Sequence, residues 1–166
     1  MGDKVIHNSY GLCKIDGVQA VENAATKKQD CYVIYMGKTK VIIPFIHAGT
    51  LRYPVSKEKI PDILARLSNT DEIPTETTKE KVIELYTEKF KTNDPIENAE
   101  ILRDLTFLKE LGQLTVKEKN LLNCVRKILI NEISYVQKIN RTEAEKIIDQ
   151  CLCKVIEKAK CQRKKY

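Results

Sequence analysis

Two histidines, six glycines and no long apolar run set the first limits on this 166-residue chain. His7 and His47 lie far apart, with no carboxylate and Ser or Cys constellation beside either, so a catalytic triad is not expected. With glycine scarce, no glycine-rich phosphate loop occurs. The longest apolar runs, such as Val41 to Ile46, are short and broken by proline, far from what a bilayer span needs. No apolar segment precedes a cleavage site at the N-terminus, and the expectation is a cytoplasmic protein with no membrane association. Its six cysteines then stay reduced thiols. Cys151-x-Cys153 with Cys161 raises zinc or redox chemistry, but structural zinc wants four ligands, usually as paired Cys-x₂₋₄-Cys. The stripe Ala144, Ile147, Ile148, Cys151, Val155 makes Cys151 a core residue instead. The expectation is a binding protein rather than an enzyme, with no catalytic residue, no metal and no cofactor.

What is present is charge. The net charge is +6, and the stretch Lys158 to Lys165 carries five cations and no acid. Such an excess points to nucleic acid or an acidic protein surface, against the alternative of a solvated tail.

Composition changes at about Val55, and the chain reads as two units, an α+β arrangement. Residues 1–54 carry short β-branched or aromatic runs: Lys4 to Ile6, Leu12 to Val18, Cys31 to Met36 and Thr39 to Ile43, with a fifth near Leu51 to Tyr53. Gly11, a polar loop at Asn23 to Asp30 and the Gly37-Lys38 turn separate them. This predicts a small curled sheet or SH3-like β-barrel, with Tyr32 to Met36 as its central strand. Edge strands of such a unit can accept a strand from another protein.

Residues 56–159 read as an all-helical domain, followed by a basic tail at 160–166. Ser56 opens a short helix with Ile60, Ile63, Leu64 and Leu67 at i, i+3, i+4, i+7. Four capping signals, Thr77-x-x-Glu80, Asp94-Pro95-x-Glu97, Thr115-x-x-Glu118 and Thr142-x-x-Glu145, precede apolar-periodic segments. Gly112 reads as a helix stop, and Leu121 to Val136, apolar nearly all round, as the central helix of the bundle.

Gly2-Asp3-x-Val5-Ile6, Gly11-x-x-x-Ile15, Tyr32-x-Ile34 and Val41-x-Ile43-Pro44 resemble the RNA-polymerase-interacting domain of the CarD-like family. In that family this domain is Tudor-like and is shared with the transcription-repair coupling factor. Leu102-Arg103-Asp104-Leu105, Leu114-Thr115-x-x-Glu118-Lys119-x-x-Leu122 and Arg126-x-Ile128-Leu129-x-x-Glu132 resemble its helical DNA-binding domain. The similarity runs over residues 2 to about 157, and the order and spacing of the motifs carry it. The resemblance implies a monomeric bacterial transcription regulator. It would dock on the polymerase β subunit through the barrel, contact promoter DNA with its helices at the edge of the melted bubble, and so alter open-complex lifetime.

Two departures stand out. The family commonly has a tryptophan near the start of the helix after the Pro-rich linker, as a minor-groove wedge; this chain has none, and Lys79 or a neighbour stands there. His7-Asn8-Ser9-Tyr10 replaces an aromatic, a proline and a histidine, and reads as altered barrel surface.

Under the resemblance, Lys38, Lys40, Val41, Ile42 and Pro44 become the candidate polymerase-binding residues: an outward Ile beside Lys suits docking by strand addition with a charged rim. Candidate DNA contacts are Lys79, Lys81, Lys117, Lys119, Arg126, Lys127, Arg163, Lys164 and Lys165, several near helix N-termini that offer N–H donors to phosphate. Arg126 has the alternative of pairing with an acid inside the bundle. The rival functions are a promoter-DNA-binding regulator acting without polymerase docking and an RNA- or ribosome-associated module.

Overall fold

The structure is a computed structural model of the chain. It describes residues 2–23, 26–73 and 79–164, those at 23, 26–27 and 79–82 by backbone alone. Five strands, β1 (Lys4–His7), β2 (Gly11–Asn23), β3 (Thr26–Met36), β4 (Thr39–Pro44) and β5 (Leu51–Arg52), form one antiparallel sheet in the order β4-β3-β2-β1-β5. The fold is Tudor-like, but the sheet does not close into a barrel: among the described residues β4 and β5 remain its two edges. Alternation assigns the faces. Val5, Cys13, Ile34 and Ile43 are buried together on one side, with Ile15, Tyr32, Met36, Val41 and Leu51 packed against them. A bulge at Asp16, between the pairs Ile15–Ile34 and Gly17–Val33, re-phases β2 midway.

In the expected polar loop at Asn23 to Asp30 the described residues are strand: Gln29, Asp30 and Cys31 pair with Val21, Ala20 and Gln19, and Thr26 with Asn23. Ladder bonds hold polar residues in a strand where composition suggests a turn. β3 is internal, as expected for its apolar run, although β2 occupies the middle of the order.

A 3₁₀ turn (Phe45–Thr50) leads into β5, and a second (Lys57–Lys59) into α1 (Ile60–Ser68). Then follow α2 (Lys79–Lys91), α3 (Pro95–Glu110), α4 (Val116–Gln137) and α5 (Arg141–Arg163). Asp94 caps α3, its carboxylate accepting from the N–H groups of Ile96 and Glu97, and Thr115 with Glu118 forms the expected capping box of α4. Thr77 lies outside the described residues. For α5 the box is Asn140 with Glu143, two residues before the expected Thr142 pair, because Lys138 takes a left-handed turn (φ 56°) that ends α4 and redirects the chain early. α5 continues through Arg163, so the first residues of the expected tail form its last turn, and Ala159 there is fully buried.

The central helix is α3, not α4. Every residue from Ile101 to Phe107 is buried, and α3 packs against all four other helices. Its centre escapes a hydropathy reading because it carries a buried ionic group: Arg103 donates to Asp104 (2.7 Å), and Tyr86 donates its hydroxyl to the other oxygen of Asp104 (2.9 Å). Burial raises the Asp104 pKa against the pull of Arg103, and burial with the neighbouring Asp104 carboxylate raises that of Tyr86. α4 has a different task, carrying the sheet on one flank: Ile128 lies 3.6 Å from where a Gly11 Cβ would stand, and Cys124 donates to the Ser9 carbonyl. Gly11, at φ +72°, makes the turn between β1 and β2 with no side chain to meet that helix.

Candidate functional site

Three places on the molecule bear on function: the β4 edge, the far end of the helices, and the seam between sheet and bundle.

At the β4 edge, Lys40, Ile42 and Pro44 alternate onto the outer face while Val41 and Ile43 turn inward. Ile42 is 43% exposed, opposite Val33, and Lys38 and Lys40 are exposed beside it, with Lys40 donating to Gln19 (3.4 Å). Val41 is half-buried against the sheet core, so it presents backbone rather than side chain to a partner. The structure adds two residues that sequence reasoning missed. Phe45 and Ile46 follow the strand at 41% and 77% exposure, with Phe45 lying 4.4 Å from the Tyr32 ring between centroids. The apolar run Val41 to Ile46, which continues past the lysine-flanked strand, was the available signal.

The expected DNA contacts are partly gathered. α3, α4 and α5 run alternately up and down, as the Arg126–Asp149 pair and the short turns between these helices require. α2 lies antiparallel to α3, since Lys89 meets Glu100 and Tyr86 meets Asp104. The end of α3, the starts of α2 and α4 and the end of α5 therefore share one end of the bundle, away from the strands. Lys117, Lys119, Arg163 and Lys164 are exposed there. The α2 backbone starts at Lys79 at this same end, while the side chains of Lys79 and Lys81, and all of Lys165, lie outside what is described. Arg126 and Lys127 are not part of this group. They sit midway along α4, and Arg126 is engaged by Asp149 (2.6 Å) and Glu145 (3.3 Å). Tyr86, midway along α2, is 2% exposed and belongs to the core.

The seam was not anticipated. Glu132, on α4 and fully buried, accepts from both terminal nitrogens of Arg52 (2.5 and 2.7 Å) and from the Val55 N–H (3.0 Å). Arg52 Nε donates to the Asn93 carbonyl, and Asn93 Nδ2 donates to the carbonyls of Ile6 (3.0 Å) and Thr50 (3.1 Å). One carboxylate and one amide thus lock β1, β5 and the linker onto the bundle. Asn93 does this at φ 58°, where asparagine is among the few side chains that settle readily. The sequence signal is Glu132 itself, an acid on the buried face with Val125, Ile128 and Leu129; its partner 80 residues away leaves no local trace.

In the turn His7-Asn8-Ser9-Tyr10, Ser9 and Tyr10 are exposed surface as expected, while His7 is buried. His7 is buried and tilted on Tyr10 (4.6 Å between centroids), and its Nδ1 accepts from the N–H groups of Ser9 (3.0 Å) and Tyr10 (3.3 Å). Burial lowers its pKa, and the two donated bonds require Nδ1 to be unprotonated. Burial likewise pushes the thiols of Cys13, Cys124 and Cys151 upward, away from the reactive thiolate. Cys151 is half-buried and packs against the core instead of lying within it.

Two family models cover nearly all of this architecture. The CarD-like/TRCF RID domain matches residues 1–56, the sheet and its linker, and the CarD C-terminal domain matches residues 62–149. The chain belongs to the CarD-like family. Its N-terminal sheet is thus the RNA-polymerase-interacting type of domain, in a family of transcription regulators. A similar protein is described as "Putative transcription factor YdeB", from Bacillus subtilis (strain 168). It is 26% identical over 155 residues, covering 86% of this chain and 95% of that protein. Among the described residues no helix is long and apolar enough to cross a membrane.

Proposed function

We propose that this CarD-like protein docks on the β subunit of RNA polymerase through the β4 edge and holds the distal end of its helices against promoter DNA, altering the lifetime of the open complex. The observation that carries the docking half is the unpaired β4 edge, whose outward Ile42 sits among lysines. Lys38, Lys40, Ile42 and Pro44 supply side chains to the interface, and Val41 supplies backbone. The exposed Phe45 and Ile46 extend the apolar part. Lys117, Lys119, Arg163 and Lys164 contact phosphates, with Lys79 and Lys81 as further candidates at the same end. Arg126 is a bundle strut in this reading, and Lys127 makes no DNA contact.

No base-reading group stands among these cations, so DNA binding on its own is weak, salt-dependent and mildly selective. Docking supplies the effective concentration that makes such contacts count. Where the family carries a tryptophan wedge this chain has no tryptophan, and Lys79 or a neighbour stands there; lysine cannot unstack a base step, so in this reading the stabilisation comes from phosphate contacts instead.

Ile42→Glu tests the docking half. At 43% exposure the position tolerates a charge, so the circular-dichroism spectrum is expected to stay unchanged while capture of the isolated β subunit is lost. Retained capture by a folded variant refutes the edge as the interface.

A further inference from the structure

The seam between sheet and bundle opens on one side into a groove of about 620 Å³, lined by Asp3, Lys4, Tyr53, Pro54, Val55, Lys57, Tyr135, Val136 and Lys138. That size falls within the range of clefts, about 300–1,000 Å³, that take small molecules or parts of chains. We propose that this groove binds single-stranded nucleic acid, with Tyr53 and Tyr135 as stacking platforms and Lys4, Lys57 and Lys138 as phosphate contacts.

Three observations lead there. Tyr53 is 70% exposed and Tyr135 44%, and among the described residues neither ring pairs with another aromatic and neither hydroxyl has a hydrogen-bond partner. Large rings left this open, on a chain with few aromatics, are surface of an unusual kind. Three lysines face one acid in the same groove, and none of the three is in an ion pair among the described residues. Finally, both rings hang from the same fixed point. Glu132 grips Arg52, the residue before Tyr53, and Arg52 Nη1 also donates to the Tyr53 carbonyl (3.1 Å). Tyr135 stands one helical turn beyond Glu132 on α4. The clasp thus sets the spacing of the two platforms before any ligand arrives.

The chemistry selects the occupant. A cationic groove with aromatic faces matches the way unpaired strands are held, bases on rings and phosphates on lysines. Duplex DNA keeps its base faces stacked and gives the tyrosines nothing to cover. An acidic peptide would satisfy the lysines and leave the ring faces idle. A free nucleotide wants enclosure, whereas this groove is open along its length. The site lies at the opposite end of the helices from the cations assigned to promoter contact, so it stands or falls independently of that assignment.

Fluorescence anisotropy of the full-length protein at low salt, with a labelled twelve-nucleotide oligothymidine and a labelled twelve-base-pair duplex, tests the proposal. Tyr53→Ala and Tyr135→Ala are each expected to weaken oligothymidine binding about five- to a hundredfold, leaving duplex binding within about twofold. Tyr53→Phe, which keeps the ring, should bind like the wild type. Lys57→Gln with Lys138→Gln should weaken the single strand and flatten its salt dependence. Lys117→Gln with Lys119→Gln should weaken only the duplex. Thermal melts of each variant establish that it is folded. The proposal is overturned if the folded tyrosine variants bind oligothymidine as the wild type does, if wild-type protein shows no oligothymidine binding, or if thymidine monophosphate competes as well, per molecule, as the oligonucleotide. Loss of duplex binding in the distal variant bears only on the promoter contact.

Discussion

Removing the Glu132 carboxylate should separate the two halves energetically, and the size of the effect can be worked from its surroundings. Glu132 is fully buried and accepts three hydrogen bonds, while the Arg52 side chain keeps 19% of its exposure. Breaking one side of a fully buried ion pair costs about 3–5 kcal/mol, because the surviving charge is left unpaired in low dielectric. Here Arg52 can reach water, and among the described residues the Val55 N–H is the only other donor abandoned, so Glu132→Ala should cost about 2–3 kcal/mol. For a chain of this length that is a fall in Tm of about 4–12 °C. Thermal unfolding followed at 222 nm measures it. The companion variant Arg52→Ala and the double variant complete a cycle in which the pair should show a coupling of at least about 1 kcal/mol. Equal melting temperatures for Glu132→Ala and wild type, or strict additivity in the double variant, would show that the clasp is not a source of stability.

The other expectations concern charge and burial. Lys117→Gln with Lys119→Gln should reduce the salt slope of duplex binding by up to about 1.8, read from affinities at several salt concentrations; an unchanged slope removes the α4 start from the DNA surface. His7 titrates below its usual value of 6.5 because it is buried, so the unfolded chain binds the extra proton first as pH falls. Stability should be flat above pH 6.5 and decline as pH drops from there towards the lowered folded value. His7→Gln should flatten that part of a denaturation series. Tyr86→Phe deletes the hydroxyl bonded to the buried Asp104 and should destabilise by about 1–2 kcal/mol in urea unfolding without affecting polymerase capture.

Local chemistry was legible in the sequence and distant pairing was not. The α4 capping box, the Asp94 cap and the Gly112 stop are written within four residues, and the structure has them where the sequence places them. The strand run at Thr39 to Ile43 and the outward Ile42 also follow from a period of two. The central helix was misjudged because hydropathy counts Arg103, Asp104 and Thr106 as surface, while in the fold each bonds a neighbour and is buried, Arg103 with its Nη1 left without a partner among the described residues. The β2–β3 hairpin was shortened for a similar reason, since Gln29 and Asp30 look like loop until the partner strand is known. The clasp of Arg52, Asn93 and Glu132 joins segments about forty and eighty residues apart, and no window of local sequence holds that information.

That separation has a consequence for how the molecule comes off the ribosome. The strands are all synthesised by Arg52, yet the carboxylate that receives Arg52 follows 80 residues later, about 4–16 s at ordinary elongation rates. During that interval the last strand has two residues of its own, no anchor on α4 and, until Asn93 emerges, none of the amide bonds that tie the Ile6 and Thr50 carbonyls to the bundle. The sheet is therefore finished by the helices, and a nascent chain cut before residue 132 lacks the part that closes its first domain.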